Sequence, residues 1–186
     1  MEAIFFDKVN ELKREKVNLE RTLGVKITIV GKKVTIEGTA LEEYEAHTIL
    51  DAMRFGFSAR IALSLKESDF VFKKINIKDF TRRKNLTEVK GRVIGTKGVT
   101  KHTIEEISGC KINLYKNEVG VIGQAESVEE ALTALTNLIR GSKQSNVYQF
   151  LEKLNASQRE EGLGFKERMS EKTSKKYNKK DKDNNV

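Results

Sequence analysis

Residues 23–38, LGVKITIVGKKVTIEG, lie over residues 108–123, SGCKINLYKNEVGVIG, without a gap at an offset of 109 − 24 = 85. Gly24, Lys26, Ile27, Val34 and Gly38 meet Gly109, Lys111, Ile112, Val119 and Gly123. The register runs on through Ala46 and Ala131 and through Leu50 and Leu135 to Gly56 and Gly141. A solenoid stacks three or more short repeats, so two long copies predict a tandem pair of similar domains.

Each copy reads as helix, glycine, strand, short turn, strand and longer helix. In the second copy these are expected at Thr100–Ile107, Lys111–Tyr115, Val119–Ile122 and Val128–Ile139. Ile112 and Leu114 alternate with polar neighbours, as do Val119 and Val121, which gives each strand one buried face. Val128, Ala131, Leu132, Leu135, Leu138 and Ile139 recur at helical spacing, with Ser127 as the expected N-cap and Gly141 as the stop. Upstream, Phe72, Ile75 and Ile77 predict a first strand, and AIFFD at 3–7 predicts its counterpart in copy one. Both copies are therefore expected to run strand, helix, helix, strand, strand, helix. That order makes an α+β layer, a three-stranded sheet with three helices on one face.

The segment VKGRVIGTKGVTKHTIEEI at 89–107 carries the chemistry. Glycines at Gly95 and Gly98 allow left-handed backbone and a close approach of main chain to phosphate. The turn opens a helix whose N-terminal amides favour an anion, and Lys97 adds a point charge. GxxG alone is an ordinary turn; the order of elements around it gives this one its weight. A P-loop is excluded, because Gly91 to Gly95 is one residue short of GxxxxGK[ST]. At the same offset copy one has Asn10, Glu11, Leu12 and Lys13, with both glycines gone and a carboxylate expected to face any phosphate.

This arrangement resembles the hnRNP K homology (KH) motif, in which a short helix, a GxxG loop and a second helix clamp about four nucleotides. Val93, Ile94, Gly95, Gly98, Ile104 and Ile107 stand where the motif expects them. The resemblance implies backbone gripping by Gly91, Arg92, Gly95, Thr96, Lys97, Gly98 and Lys101. Bases would settle in an apolar groove of Val93, Ile94, Ile107, Ile112 and Leu114. Arg82, Arg83 and Lys84 either extend the phosphate track or form a solvated loop. Aspartate at both Gly95 and Gly98 is expected to abolish binding with the fold intact.

Longer stretches are similar to one family, the archaeal and eukaryotic KH-domain pre-rRNA-processing proteins called partner of Nob one. They are GFSARIALSLKESDF at 56–70, GRVIGTKGVTKHTIEEISGCKINLY at 91–115 and IGQAESVEEALTALTNLIRGSKQSNVYQFLEK at 122–153. The resemblance covers roughly residues 1–154 and implies two tandem type I KH domains. These would be a degenerate copy at 1–58, a helical bridge at 59–70, an RNA-binding copy with its closing helix at 71–154, and a basic tail at 155–186. It also implies a cytoplasmic, noncatalytic ribosome-assembly factor that binds single-stranded small-subunit rRNA or its precursor near the 3′ end. Implied partners are the Nob endonuclease and the alpha subunit of translation initiation factor two. An RNA-binding adaptor of an exosome or other nuclease complex is the alternative.

Composition fits without deciding. With 35 Lys and Arg against 27 Asp and Glu, and a formal net charge of +8, a polyanion is the natural partner. One cysteine and two histidines exclude a disulfide within the chain and an ordinary zinc site, and no cofactor is expected. No apolar run approaches the roughly 20 residues of a membrane span, so a soluble, cytosolic protein with no membrane partner is expected. Cys110, opposite Val25 in the repeat, is expected in the core. Adjacent Glu105 and Glu106 point to different helix faces, which argues against a catalytic pair. The lysine-rich stretch from Asn155 is expected to be disordered and to attract any RNA through counterion release.

Overall fold

A computed structural model of the chain describes residues 3–7 and 9–156. The expectations for the lysine-rich tail beyond 156 lie outside the described residues.

The first unit comprises β1 (Ala3–Phe5), α1 (Asn10–Leu23), β2 (Lys26–Val30), β3 (Lys33–Glu37) and α2 (Ala40–Phe55). The second opens with α3 (Ala59–Leu63) and a 3₁₀ turn at Ser64–Lys66. It continues with β4 (Phe70–Asn76), α4 (Ile77–Phe80), α5 (Leu86–Ile94), α6 (Val99–Ser108), β5 (Lys111–Tyr115), β6 (Glu118–Gln124) and α7 (Ala125–Arg140). A closing helix, α8, covers 144–156. The two sheets are antiparallel and share one topology, β1-β3-β2 and β4-β6-β5. Their registers coincide at the repeat offset: Ile27 faces Ile36 in one hairpin, and Ile112 faces Val121 in the other.

Upstream of α1 the offset changes, and the expectation of two helices in copy one fails. Ile4 pairs with Val34, while Ile75 pairs with Val119. The offset is 119 − 34 = 85 for the partners but 75 − 4 = 71 for the first strands, so copy one is 85 − 71 = 14 residues shorter between its first strand and its helix. The shortfall lies before position 10, where the second unit has α4, its connection and α5, and the GxxG positions themselves are replaced by helix. Only one helix, α1, remains, and the four positions at 10–13 are its first turn. Leu12 points into the core there, and Glu11 accepts the Ala59 amide at the start of α3 at 3.2 Å, so this carboxylate faces a helix end and not a phosphate.

Three smaller expectations also shift. Ile77 starts α4 instead of extending β4, because the Asn76 side chain accepts the Lys78 amide and turns the chain into a helix. α7 begins at Ala125, with Gln124 at the cap and Ser127 already inside the helix. Asn155, placed in the tail by its composition, lies in α8 and donates to the Ile107 carbonyl at the end of α6.

The two units are fused through a sheet face. One side of the second sheet carries its own helices: Val119 and Val121 pack with Val89 and Val93 of α5, Ile104 of α6 and Leu135 of α7. Ile122 points to the other side and joins the first unit's core. There Phe55 and Phe57 meet Phe72, with centroids 5.7 and 5.8 Å apart in edge-on geometry, and Phe55 meets Tyr115 at 5.7 Å. Gly120 makes this approach possible, since a Cβ there would stand 2.6 Å from the Phe55 ring. Its repeat partner in the first unit is Thr35.

Candidate nucleic-acid interface

α5 and α6 form a hairpin around Gly95-Thr96-Lys97-Gly98. Asn85 caps α5 by accepting the Thr87 and Glu88 amides, and Val89 and Val93 anchor its inner face in the core. At the corner, Gly95 has φ 77 and ψ 171, a region that glycine alone occupies without strain. Lys97 takes φ 53, and Gly98 is left-handed at φ 81. Thr96 and Lys97 are exposed at the tip. The Gly95 amide donates to the Gly91 carbonyl at 2.8 Å and the Gly98 amide to the Gly95 carbonyl at 3.1 Å. Both glycine amides are thus engaged within the hairpin, which leaves Thr96 and Lys97 at its exposed tip.

The two glycines are not equivalent. A Cβ on Gly95 would lie 2.2 Å from Thr100 Oγ1 and 2.7 Å from the Thr100 amide nitrogen, whereas one on Gly98 meets open space. Aspartate at Gly95 therefore breaks the hairpin itself, against the expectation that the fold survives. Gly98→Ala is expected to cost only left-handed strain, about 1–2 kcal/mol, and Gly95→Ala is expected to cost more. Urea unfolding of the two variants checks the order.

A hydrogen-bonded clamp ties the two arms of the hairpin together. Thr100 is buried and accepts from Gln144 Nε2 at 2.7 Å; the same amide donates to the Arg92 carbonyl at 3.5 Å. The Arg92 guanidinium donates to the Ser142 carbonyl at 2.8 Å. The connection between α7 and α8 thereby grips both arms, and Arg92 is tied to it. No sequence signal reveals this, because the partners lie 44 to 52 residues apart.

The remaining expected site residues separate by burial and partner. Val93 and Ile112 are fully in the core, so they support the groove from beneath. The expected apolar residues that remain accessible are Ile94, 38% exposed, and half-buried Ile107 and Leu114. Val99, 59% exposed beside Gly98, was missed by the sequence reading; an apolar residue on the outward face of an amphipathic helix was its signal. Gly91 lies on the exposed side of α5 with free space around it. Arg83 pairs with Glu88 at 2.6 Å, while Arg82 and Lys84 are exposed beside it.

Lys101 has a partner that the repeat explains. Its ammonium lies 3.8 Å from Glu105, whose carboxylate accepts the Ile112 amide at 2.7 Å. In the first unit Lys16 lies 3.7 Å from Glu20, which accepts the Ile27 amide at 2.7 Å. The chain Lys–Glu–amide recurs at the offset of 85 in a unit without the loop, so it belongs to the fold that both copies share. Cys110 sits in the core as expected, where burial pushes its thiol up, with an opposing hydrogen bond from Ser108. Among the described residues no group of His, Cys, Asp and Glu is arranged to hold a metal, and no helix is long and apolar enough to cross a membrane.

Residues 71–156 match the model of the second KH domain of PNO1, described as a eukaryotic-type KH domain (KH-domain type I). A KH domain-containing protein of Methanocaldococcus jannaschii is 36% identical over 145 residues, 74% of this chain and 64% of its own length. RNA-binding protein pno1 of Ixodes scapularis is 34% identical over 119 residues, 62% of this chain and 50% of its own. The chain thus spans between half and about two-thirds of these curated relatives. Among solved structures, one in the a/eIF2alpha–aDim2p–rRNA complex of Pyrococcus horikoshii OT3 superposes with a TM-score of 0.75 at 31% identity, covering 84% of this chain and 94% of that one. With a GxxG hairpin on an antiparallel β4-β6-β5 sheet and this extent of likeness along the chain, the protein belongs to the PNO1/Dim2 family of KH-domain proteins.

Proposed function

We propose that this chain is an RNA-binding ribosome-assembly factor whose second unit grips single-stranded small-subunit rRNA, or its precursor, near the 3′ end. The observation that carries it is the exposed Thr96-Lys97 tip between two glycine corners, with Ile94, Ile107 and Leu114 accessible on the same hairpin and on β5. Phosphate meets the tip, and unstacked bases lie along the apolar strip. Arg82 continues the phosphate track, with Arg83 exchanging Glu88 for a phosphate. Within this reading the first unit is a degenerate KH domain at 1–58, joined by a bridge at 59–70 to the RNA-binding domain at 71–154. Having lost the helix and loop that grip a backbone, the first unit serves as scaffold or as a protein-binding surface.

The rRNA and initiation-factor alpha subunit present in the complex of the Pyrococcus relative support the same two partners here. The Nob endonuclease is a further partner, and this chain itself carries out no chemistry in the cytoplasm where assembly proceeds. The test is a pair of salt titrations of the full chain, against a small-subunit rRNA 3′ fragment and a scrambled RNA of equal length. Preference for the native fragment is expected to persist as salt weakens both. Equal affinities at every salt concentration would overturn the reading.

A further inference from the structure

Glycines let the GxxG corner form, but they do not hold it. Gly95, Lys97 and Gly98 all sit at positive φ, and glycine loses more conformational freedom than any other residue when one conformation is fixed. Uncommon backbone conformations persist only where the surroundings enforce them. The loop itself supplies two amide-to-carbonyl bonds, at Gly95 and Gly98. α6 starts from Gly98 with no side chain capping its first turn.

Further support comes from Gln144, the first residue of α8. Val147 and Leu151, three and seven residues on, are buried in the second unit's core and hold this end of α8 beside the hairpin. From there the Gln144 side-chain amide reaches both arms, donating to Thr100 Oγ1 at 2.7 Å and to the Arg92 carbonyl at 3.5 Å. Thr100 lies directly against Gly95, its hydroxyl 2.2 Å from where a Cβ would stand. The amide thus fixes a buried hydroxyl, and the hydroxyl fixes the corner. Gln144 itself is exposed, so its replacement opens no cavity in the core.

The bond is confined to the unit that has the loop. At the offset of 85, Thr100 corresponds to Glu15 and Gln144 to Ala59, and alanine offers no side-chain donor. The Lys–Glu–amide chain, by contrast, recurs in both units and serves the fold they share. We propose that Gln144 is a positioning residue for RNA binding: through Thr100 it holds the Gly95 corner in the form that presents Thr96 and Lys97 to a phosphate. It does so without touching RNA. This rests on the reading that the hairpin grips single-stranded RNA. Without the amide the corner takes other conformations, and apparent affinity falls by the fraction of molecules that keep the competent one.

The full chain is tested against the single-stranded rRNA 3′ fragment in a double-mutant cycle of Gln144→Ala and Thr100→Val. Gln144→Ala is expected to weaken binding about tenfold, or about 1.4 kcal/mol. Thr100→Val is expected to lose about as much, and the double variant to bind within about twofold of either single variant, since both remove one bond. Thr100→Ser, which keeps the hydroxyl, is expected to bind better than Thr100→Val. Losses that multiply to about a hundredfold in the double variant would give Gln144 a contact of its own with RNA and overturn the proposal. Gln144→Ala binding within about threefold of the parent, or Thr100→Ser binding no better than Thr100→Val, overturns it too.

Amide hydrogen exchange without RNA separates positioning from general stability. In Gln144→Ala the Gly98 amide is expected to exchange at least about fivefold faster, with the β6 amides unchanged. Unchanged exchange at Gly98, or equal acceleration in β6, overturns the proposal even if Thr100→Val does not fold. A parent chain that binds no RNA overturns the RNA-binding reading instead, and the role of Gln144 with it.

Discussion

Replacing both Thr96 and Lys97 by aspartate is expected to weaken RNA binding by about a hundredfold, or about 2.7 kcal/mol, with the unfolding curve unchanged. Both side chains are exposed at the hairpin tip, so neither contributes to the core. Aspartate is among the residues that tolerate the left-handed backbone Lys97 adopts. The substitution turns one positive charge at the phosphate position into two negative ones, and like charges a few ångströms apart repel by several kcal/mol where water is partly excluded. Gly95 and Gly98 keep their conformations, which separates loss of binding from loss of structure. Filter binding against the rRNA 3′ fragment, paired with urea unfolding, provides both readings. Affinity within threefold of the parent would show that the hairpin tip does not meet the backbone of the RNA.

Phe55→Ala is expected to cost about 3–5 kcal/mol, lowering the melting temperature by roughly 6–20 °C for a chain of this size. The ring is the centre of the joint between the units: it lies against Phe57, Phe72 and Tyr115 and over the bare backbone of Gly120. Its removal leaves a void that Gly120 has no side chain to fill, and the surrounding rings relax only partly. Phe5→Ala is the control, because Phe5 is 65% exposed on an edge strand and its loss is expected to stay within about 0.5 kcal/mol. Differential scanning calorimetry of the two variants checks the contrast. Equal shifts would mean that the aromatic joint carries no more of the stability than a surface ring does.

The second unit was legible because its information is local. Alternation in KINLY and VGV, helical spacing from Val128 to Ile139 and the GxxG dipeptide each fix a neighbourhood of a few residues, and β5, β6, α6 and α7 lie within a few residues of where those patterns put them. Cys110 was placed in the core by its repeat partner, for the same reason. Register and repeat could also carry the shared Lys–Glu–amide chain, although nothing in the one-dimensional pattern marks Glu20 and Glu105 as acceptors of a strand amide.

What the amino-acid order determined, then, was the pair of α+β units, the loop with its basic tip, and the absence of that loop from copy one. Tertiary structure decided which residues those features leave available. It buried Val93 and Ile112 beneath the groove, tied Arg92 to Ser142, and made Gly95 irreplaceable while leaving room at Gly98. It also set the first unit on the outer face of the second sheet and opened a cleft between them. The physical reason is that periodicity says which face of an element is apolar but not which distant surface will cover it. Thr100 and Gln144, Phe55 and Gly120, or Glu11 and Ala59 meet only once the whole chain has packed.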